Sequence, residues 1–292
     1  MWHSNQTQCP ICGKESDFKR YIESRGEHWV RCANCGGGHK TPYVPETERP
    51  TLAERNYDAV YLQPAFFERR MKFAKNQAAW LAGKFRQGMA VVEIGPGLGL
   101  AAERFLQLLP GTPYYMVEPH NWFGEFVASR MGSRVQVFKE PMETSLDRVL
   151  AEAVSPTCRP VLLYMDNVLE HVRQPLSLLA KLKARLPRGS VALFDVPNER
   201  GLRWRHRMYL AIGGKTTVVP EHINLFTIKS FHLMLSGLAL QHQVRQRGIR
   251  RPEEVNCLPE GALLSSLLGL LSVVPIDEML GLANNLRVEV EF

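Results

Sequence analysis

The sequence predicts an α/β protein built on a doubly wound parallel sheet, preceded by a small metal-held unit. Three observations lead there. Past residue 88, short apolar runs alternate with helix-periodic stretches, the rhythm of repeated βαβ units. The first apolar run, "VVEIGPGLGLAAERF" at 91–105, breaks into glycines at 95, 97 and 99. Four of the six cysteines stand as two CxxC pairs before residue 36.

In chain order, "CPIC" at 9–12 and "CANC" at 32–35 are separated by nineteen residues. Two thiolates two residues apart can bind one ion from a single turn, and a second pair closes a tetrahedron with no position left for water. Cys9, Cys12, Cys32 and Cys35 are therefore the expected ligands of a structural Zn²⁺. "DFKRYIES" and "EHWVRC" read as short strands around a turn, which makes the unit, residues 1–41, a zinc ribbon. Closed four-cysteine sites mostly contribute folding energy, so a structural clip is favoured over a nucleic-acid reader. His39 is near enough to substitute but is not needed. Cys158 and Cys257 read as free thiols.

Residues 42–50, with three prolines, read as a linker. "FFERRMKFAKNQAAWLAGKF" carries apolar residues at helical spacing, so 42–88 is a linker with one or two N-terminal helices. The core domain, 89–292, is expected to have strands at 89–94, 114–118, 134–138, 160–165 and 190–196. Helices are expected at 98–109, 121–131, 144–153 and 175–186. The stretch 248–283, apolar on more than one helical face, reads as a C-terminal helical insertion, serving as a lid or a subunit interface.

With 45% hydrophobic and 22% charged residues the composition is that of a globular domain. The longest apolar stretch, "ALLSSLLGLLSVV", is too short to span a bilayer. No leader pattern is visible, so a reducing, cytoplasmic setting is expected. The net charge of +7 suits an anionic substrate or nucleic acid.

The glycine loop discriminates between ligands. A nucleoside-triphosphate cradle needs Lys and then Ser or Thr after its last glycine, where Leu100 and Ala101 stand. A dinucleotide fingerprint wants G-x-G-x-x-G, but the spacing here is G-x-G-x-G. Glu93, two residues before Gly95, suits a cationic amine better than a pyrophosphate. Glu118 ends the second strand, nineteen residues past Gly99, where a carboxylate can hold ribose hydroxyls. An acid for an ammonium, bare backbone under a nucleoside and an acid for a ribose together describe S-adenosylmethionine (SAM).

"VVEIGPGLG", "YYMVEP", "DNVLEHVRQPLSLLAKLKARLPRGSVALFDVPN" and "PEHINLFTIKSFHLMLSGLAL" resemble, in order, the motifs of class I SAM-dependent methyltransferases, most closely the branch acting on small molecules and sugars. The resemblance covers roughly residues 88–247. It implies a Rossmann-like, seven-stranded methyltransferase sheet whose last strand, "NNLRVEVEF", runs antiparallel. It implies that Glu93, Gly95, Pro96, Gly97 and Gly99 hold the methionine part of the cofactor, and Glu118 and Pro119 the ribose. Pro141, Met142 and Glu143 would flank the adenine, and Asp166 and Asn167 would border the emerging methyl group. The fourth strand departs from such families, which often begin it with an acid, in starting Pro160-Val161.

Resemblance to sugar methyltransferases with an N-terminal ribbon makes His222 the expected general base, with Glu221 as its orienting partner; His171, in "LEHV", is a second candidate. "ERGLRWRHRMYLAIGGK" gathers Arg200, Arg203, Arg205 and Arg207 with Trp204, His206 and Tyr209. Arginine forks match phosphate and carboxylate oxygens, so Arg203, Arg205, Arg207 and Tyr209 are candidate substrate contacts, against a merely solvated helix face. The expected activity is methyl transfer to an anionic small molecule such as a sugar nucleotide or secondary metabolite. Two alternatives stay open: an RNA methyltransferase gripping phosphates through ribbon and arginines, and a non-catalytic SAM-binding partner subunit. An Asn/Asp-Pro-Pro-aromatic turn and a cysteine nucleophile after the fourth strand are both absent, which weighs against RNA base methylation. A homodimer is compatible with the apolar 248–283 segment.

Overall fold

The computed structural model describes residues 8–24, 27–41, 63–155, 158–201, 203–204, 222–247, 283 and 285–292. The 42–62 part of the expected linker, the 248–283 insertion apart from Ala283, and Cys257 lie outside the described residues. Two compact units are each assembled from three chain segments: residues 1–43, 169–180 and 195–288 form one, and 44–168, 181–194 and 289–292 the other.

The first unit opens with β1 (Phe18–Ser24), β2 (Glu27–Cys32) and β3 (Gly38–Lys40). A fourth strand, β9 (Asn224–Leu225), pairs antiparallel with β3 through Gly38↔Leu225 and His39↔Asn224. The sheet order is β1-β2-β3-β9. Trp29 and Leu225, both buried, pack with Tyr21 and Ile22 on it. His39 is buried in β3 with its ring edge-on to Phe18, and burial pushes its pKa down to about 4, away from a cationic role.

The larger sheet has seven strands: β4 (Ala90–Ile94), β5 (Tyr114–Val117), β6 (Gln136–Phe138), β7 (Val161–Asp166), β8 (Val191–Pro197), β10 (Gln241–Arg247) and β11 (Asn285–Glu291). Their order is β10-β11-β8-β7-β4-β5-β6. β4 pairs parallel with both β5 and β7, and β5 with β6. At the other end Gly189 N–H donates to the Phe292 carbonyl at 2.7 Å and Phe292 N–H to the Ser190 carbonyl at 3.0 Å. The end of β11 thus lies beside the start of β8, and the last strand runs antiparallel, as expected.

β4 is buried at every position, which is why it reads as a continuous apolar run rather than an alternating one. The helices are α1 (Pro64–Ala82), α2 (Leu100–Leu108), α3 (Asn121–Met131), α4 (Met142–Val154), α5 (Pro175–Arg185) and α6 (Ile228–Gly237). α1 starts on a proline, whose missing N–H would be unpaired there in any case. Ala78 and Leu81 of α1, Phe105 of α2, Val127 of α3, Val91, Tyr114, Leu162 and Leu193 form one buried cluster. The strand order reverses at β4: β5 and β6 lie to one side, β7 and β8 to the other. Ligands of such sheets sit beyond the carboxyl ends of the strands at that reversal, where β4 runs into the glycine loop.

Candidate active site and metal centre

The chain leaves β4 through Gly95, Gly97 and Gly99, all with left-handed φ (69°, 54° and 66°). The demand differs along the loop. A Cβ on Gly95 would come within 2.6 Å of Val168 Cγ2, so packing forbids it. Gly97 has no atom within 4 Å of where its Cβ would stand. There the backbone alone requires glycine, and the peptide faces open space on which a ligand can lie.

Glu118, just past β5, spans this loop. Its Oε2 accepts the Gly97 N–H at 3.1 Å and its Oε1 the His120 N–H at 3.0 Å. A carboxylate can accept about four hydrogen bonds, so capacity for hydroxyls remains. Burial pushes its pKa up to about 7, against the two backbone donors that pull it down. Glu93, 3% exposed, accepts the Tyr114 hydroxyl at 2.7 Å. Its pKa is likewise raised to about 7, first by burial and then by the neighbouring charges of Asp166 and Glu118. Three carboxyls crowd one water-poor corner, an arrangement a cation would relieve.

Asp166 ends β7 and accepts from Gln77 of α1 and from the Asn167 amide, the latter at 3.0 Å. Asn167 itself holds φ of 53°, a conformation uncommon outside glycine and frequent at functional turns. Met142 is buried and Glu143 exposed in the first turn of α4, behind Pro141 at its N-cap. Pro96 is half-buried and Pro119 exposed.

In the other unit, a 3-10 turn at Leu169–His171 carries Glu170, 1% exposed, and His171, exposed. His222 stands directly before the segment that becomes β9, with Nε2 3.9 Å from Glu170 Oε1 and its ring 5.1 Å from that of His171. Ligand atoms of Glu170, His171 and His222 all lie within 4.8 Å of one another. The two candidate histidines therefore come together, and among the described residues an acid beside His222 is Glu170; Glu221 lies outside the described residues. Sequence order gives no hint of this pairing, because Ile223 N–H donating to the Glu170 carbonyl at 2.8 Å is a long-range contact. Of the expected substrate contacts, Arg203 is described, helical and half-buried; Arg205, Arg207 and Tyr209 lie outside the described residues.

All four ribbon cysteines are buried, with Cys9 Sγ 3.8 Å from Cys35 Sγ and Cys12 Sγ 3.9 Å from Cys32 Sγ. Tetrahedral zinc with bonds of about 2.3 Å spaces its sulfurs about 3.8 Å apart, so the donor set fits such an ion. Backbone N–H groups of Cys35 and Gly37 and the Asn34 amide point at Cys32, Cys35 and Cys12 sulfurs at 3.4–3.5 Å, as donors that would favour thiolates. The hydrogen bond from Cys35 pulls the Cys9 pKa down, toward the thiolate. Cys158 is exposed and free. Among the described residues no helix is long and apolar enough to cross a membrane.

The sequence family described as a methyltransferase domain matches residues 66–242. No curated protein matches the chain significantly. Among solved structures, a SAM-dependent methyltransferase from Archaeoglobus fulgidus superposes with a TM-score of 0.52 at 14% identity, covering 77% of this chain and 98% of that one. The plantazolicin methyltransferase BamL, determined with a triazolic desmethyl analog and S-adenosylhomocysteine, gives 0.51 at 10% identity, over 80% and 87%. A Haemonchus contortus phosphoethanolamine-type N-methyltransferase gives 0.51 at 11%, over 80% and 58%. At these identities the likeness speaks for the fold.

Proposed function

The chain belongs to the SAM-dependent class I methyltransferases, and on that premise we propose that it moves a methyl group from SAM to an anionic small molecule, such as a sugar nucleotide or secondary metabolite. The observation that carries the reading is the acidic corner at the glycine loop: Glu93 and Glu118 pushed up to about 7, with Asp166 adding to the charge on Glu93. A sulfonium with an ammonium group supplies the missing positive charge there.

When bound, SAM supplies a methyl group on a positively charged sulfur, ready for in-line displacement. The residues of this chain bind and orient. Gly95, Pro96, Gly97 and Gly99 would lie under the methionine part, with Glu93 near its ammonium. Glu118, beside Pro119, would take the ribose hydroxyls, Met142 and Glu143 would flank the base, and Asp166 and Asn167 would border the methyl group. His222 Nε2 would accept the acceptor's proton as attack proceeds, and the Glu170 carboxylate at 3.9 Å would steady the imidazolium that forms. His171 would line the same place. Cys9, Cys12, Cys32 and Cys35 would hold a structural Zn²⁺.

Calorimetry on metal-replete protein tests the premise: SAM and S-adenosylhomocysteine should both give binding heat, and absence of heat with either defeats the reading. Glu118→Ala should weaken that binding at least tenfold. His222→Ala should leave it within twofold and lower kcat by roughly 10²–10⁴, the range of a lost general base. A variant with unchanged turnover removes the base role. Turnover of an acceptor also separates an enzyme from a non-catalytic SAM-binding subunit.

A further inference from the structure

A cavity of about 1220 Å³ lies wholly within the ribbon-containing unit. Its walls carry five cations, Lys19, Arg31, Arg200, Arg203 and Lys229, and among the described lining residues a single acid, Glu199. Two of the cations are fixed. Arg31 donates Nε–H to the Gly36 carbonyl at 3.0 Å and lies 5.5 Å from the centroid of the Tyr21 ring. Arg203 lies 5.9 Å from the same centroid, with Nε 3.7 Å from Glu199 Oε1. Bringing two guanidinium groups to one ring costs mutual repulsion unless an anion offsets it, and their forks match phosphoryl oxygens.

Glu199 is 1% exposed and so cannot turn out to solvent. Cys32 and Cys35 also line the cavity, and a divalent ion on four thiolates carries a net charge of minus two. Burial also pushes the Glu199 pKa up to about 7, so the five cations outweigh the negative charge beside them and leave a positive surplus that suits a phosphoryl group.

We propose that this groove binds the phosphate group of a phosphorylated ligand. The proposal deepens the anionic-acceptor reading and rests on it for the identification of that ligand as the methyl acceptor. Of the five, only Arg203 was a candidate substrate contact in the sequence, with Arg200 in the same cluster; Arg31, Lys19 and Lys229 join them through the fold.

Isothermal titration of zinc-loaded protein with inorganic pyrophosphate, at constant ionic strength set by chloride, tests it. S-adenosylhomocysteine is titrated in a parallel run, so that failure of the cofactor premise is seen separately. Saturable pyrophosphate binding is expected, weakened at least tenfold by Arg31→Gln with Arg203→Gln and severalfold by Lys229→Gln. The last change is on an exposed side chain and should leave folding intact. Binding no stronger than chloride allows, or binding that survives both variants, overturns the proposal. So does a short single-stranded RNA that binds more than tenfold tighter than pyrophosphate with a steep salt dependence, because the surface would then be a nucleic-acid interface.

Discussion

In the proposed cofactor site, Glu93 and Glu118 would set the pH response. Both are raised to about 7 in the folded protein, so the fold prefers them protonated. Their contribution to stability is therefore complete below the unfolded value near 4.5 and is lost as pH rises through 7. A bound cation reverses that preference by stabilising the carboxylates. SAM should consequently bind about tenfold more tightly at pH 8 than at pH 6 for each of the two groups that must ionise. Titration calorimetry at the two pH values reads this directly. A flat profile in the wild type, or an unchanged one in Glu93→Gln, would show that these acids do not meet the cofactor's charge.

The ribbon is woven into the scaffold of His222. β9 begins two residues after that histidine and completes the ribbon sheet, Trp29 Nε1–H donates to the His222 carbonyl at 3.0 Å, and Lys40 N–H donates to the Ile223 carbonyl at 2.9 Å. Stripping zinc from zinc-loaded protein with a chelator under denaturant-free conditions should lower Tm by several degrees and depress turnover, if the four cysteines hold the ion as proposed. S-adenosylhomocysteine binding should be largely retained, since the glycine loop belongs to the other compact unit. Equal loss of both would argue that the ribbon acts on global folding alone. Thr227 ties a second element to the ribbon. It caps α6 in a reciprocal box with Ser230, at 3.0 and 2.8 Å, and donates its hydroxyl to the Cys35 carbonyl at 3.3 Å. Thr227→Ala should cost about 1–2 kcal/mol in chemical denaturation, the upper part of the range for a lost cap.

Across the whole molecule, the larger sheet is held at its far side by a buried charge. Asp195 is fully buried in β8 and meets Arg247 of β10 at 3.3 Å and Arg287 and Asn285 of β11 at 3.1 and 2.6 Å. Asp195→Ala leaves the two arginines without their shared acid and should destabilise by about 3–5 kcal/mol, measurable by urea unfolding. What the sequence disclosed follows from how local the signal was. Strands such as β4 and β7, buried along their length, were readable as apolar runs to within a residue or two, and α3 matched its expected bounds 121–131. β3 and β9, three and two residues long, have no period to read; β9 exists because the distant backbone of β3 pairs with it. For the same reason the loop acids, close in sequence, were legible, whereas the approach of Glu170 to His222 and of Arg31 to Arg203 required the folded chain. Asp195 was hidden inside a strand pattern whose remaining residues are apolar.

That late pairing bears on how the protein is made. During synthesis the four cysteines and β1–β3 emerge well before β9, and a metal could close them at once. β3 nevertheless has no neighbour on its outer side until Asn224 and Leu225 leave the ribosome. Until then the nascent chain exposes an unsatisfied strand edge, a template for pairing with another chain.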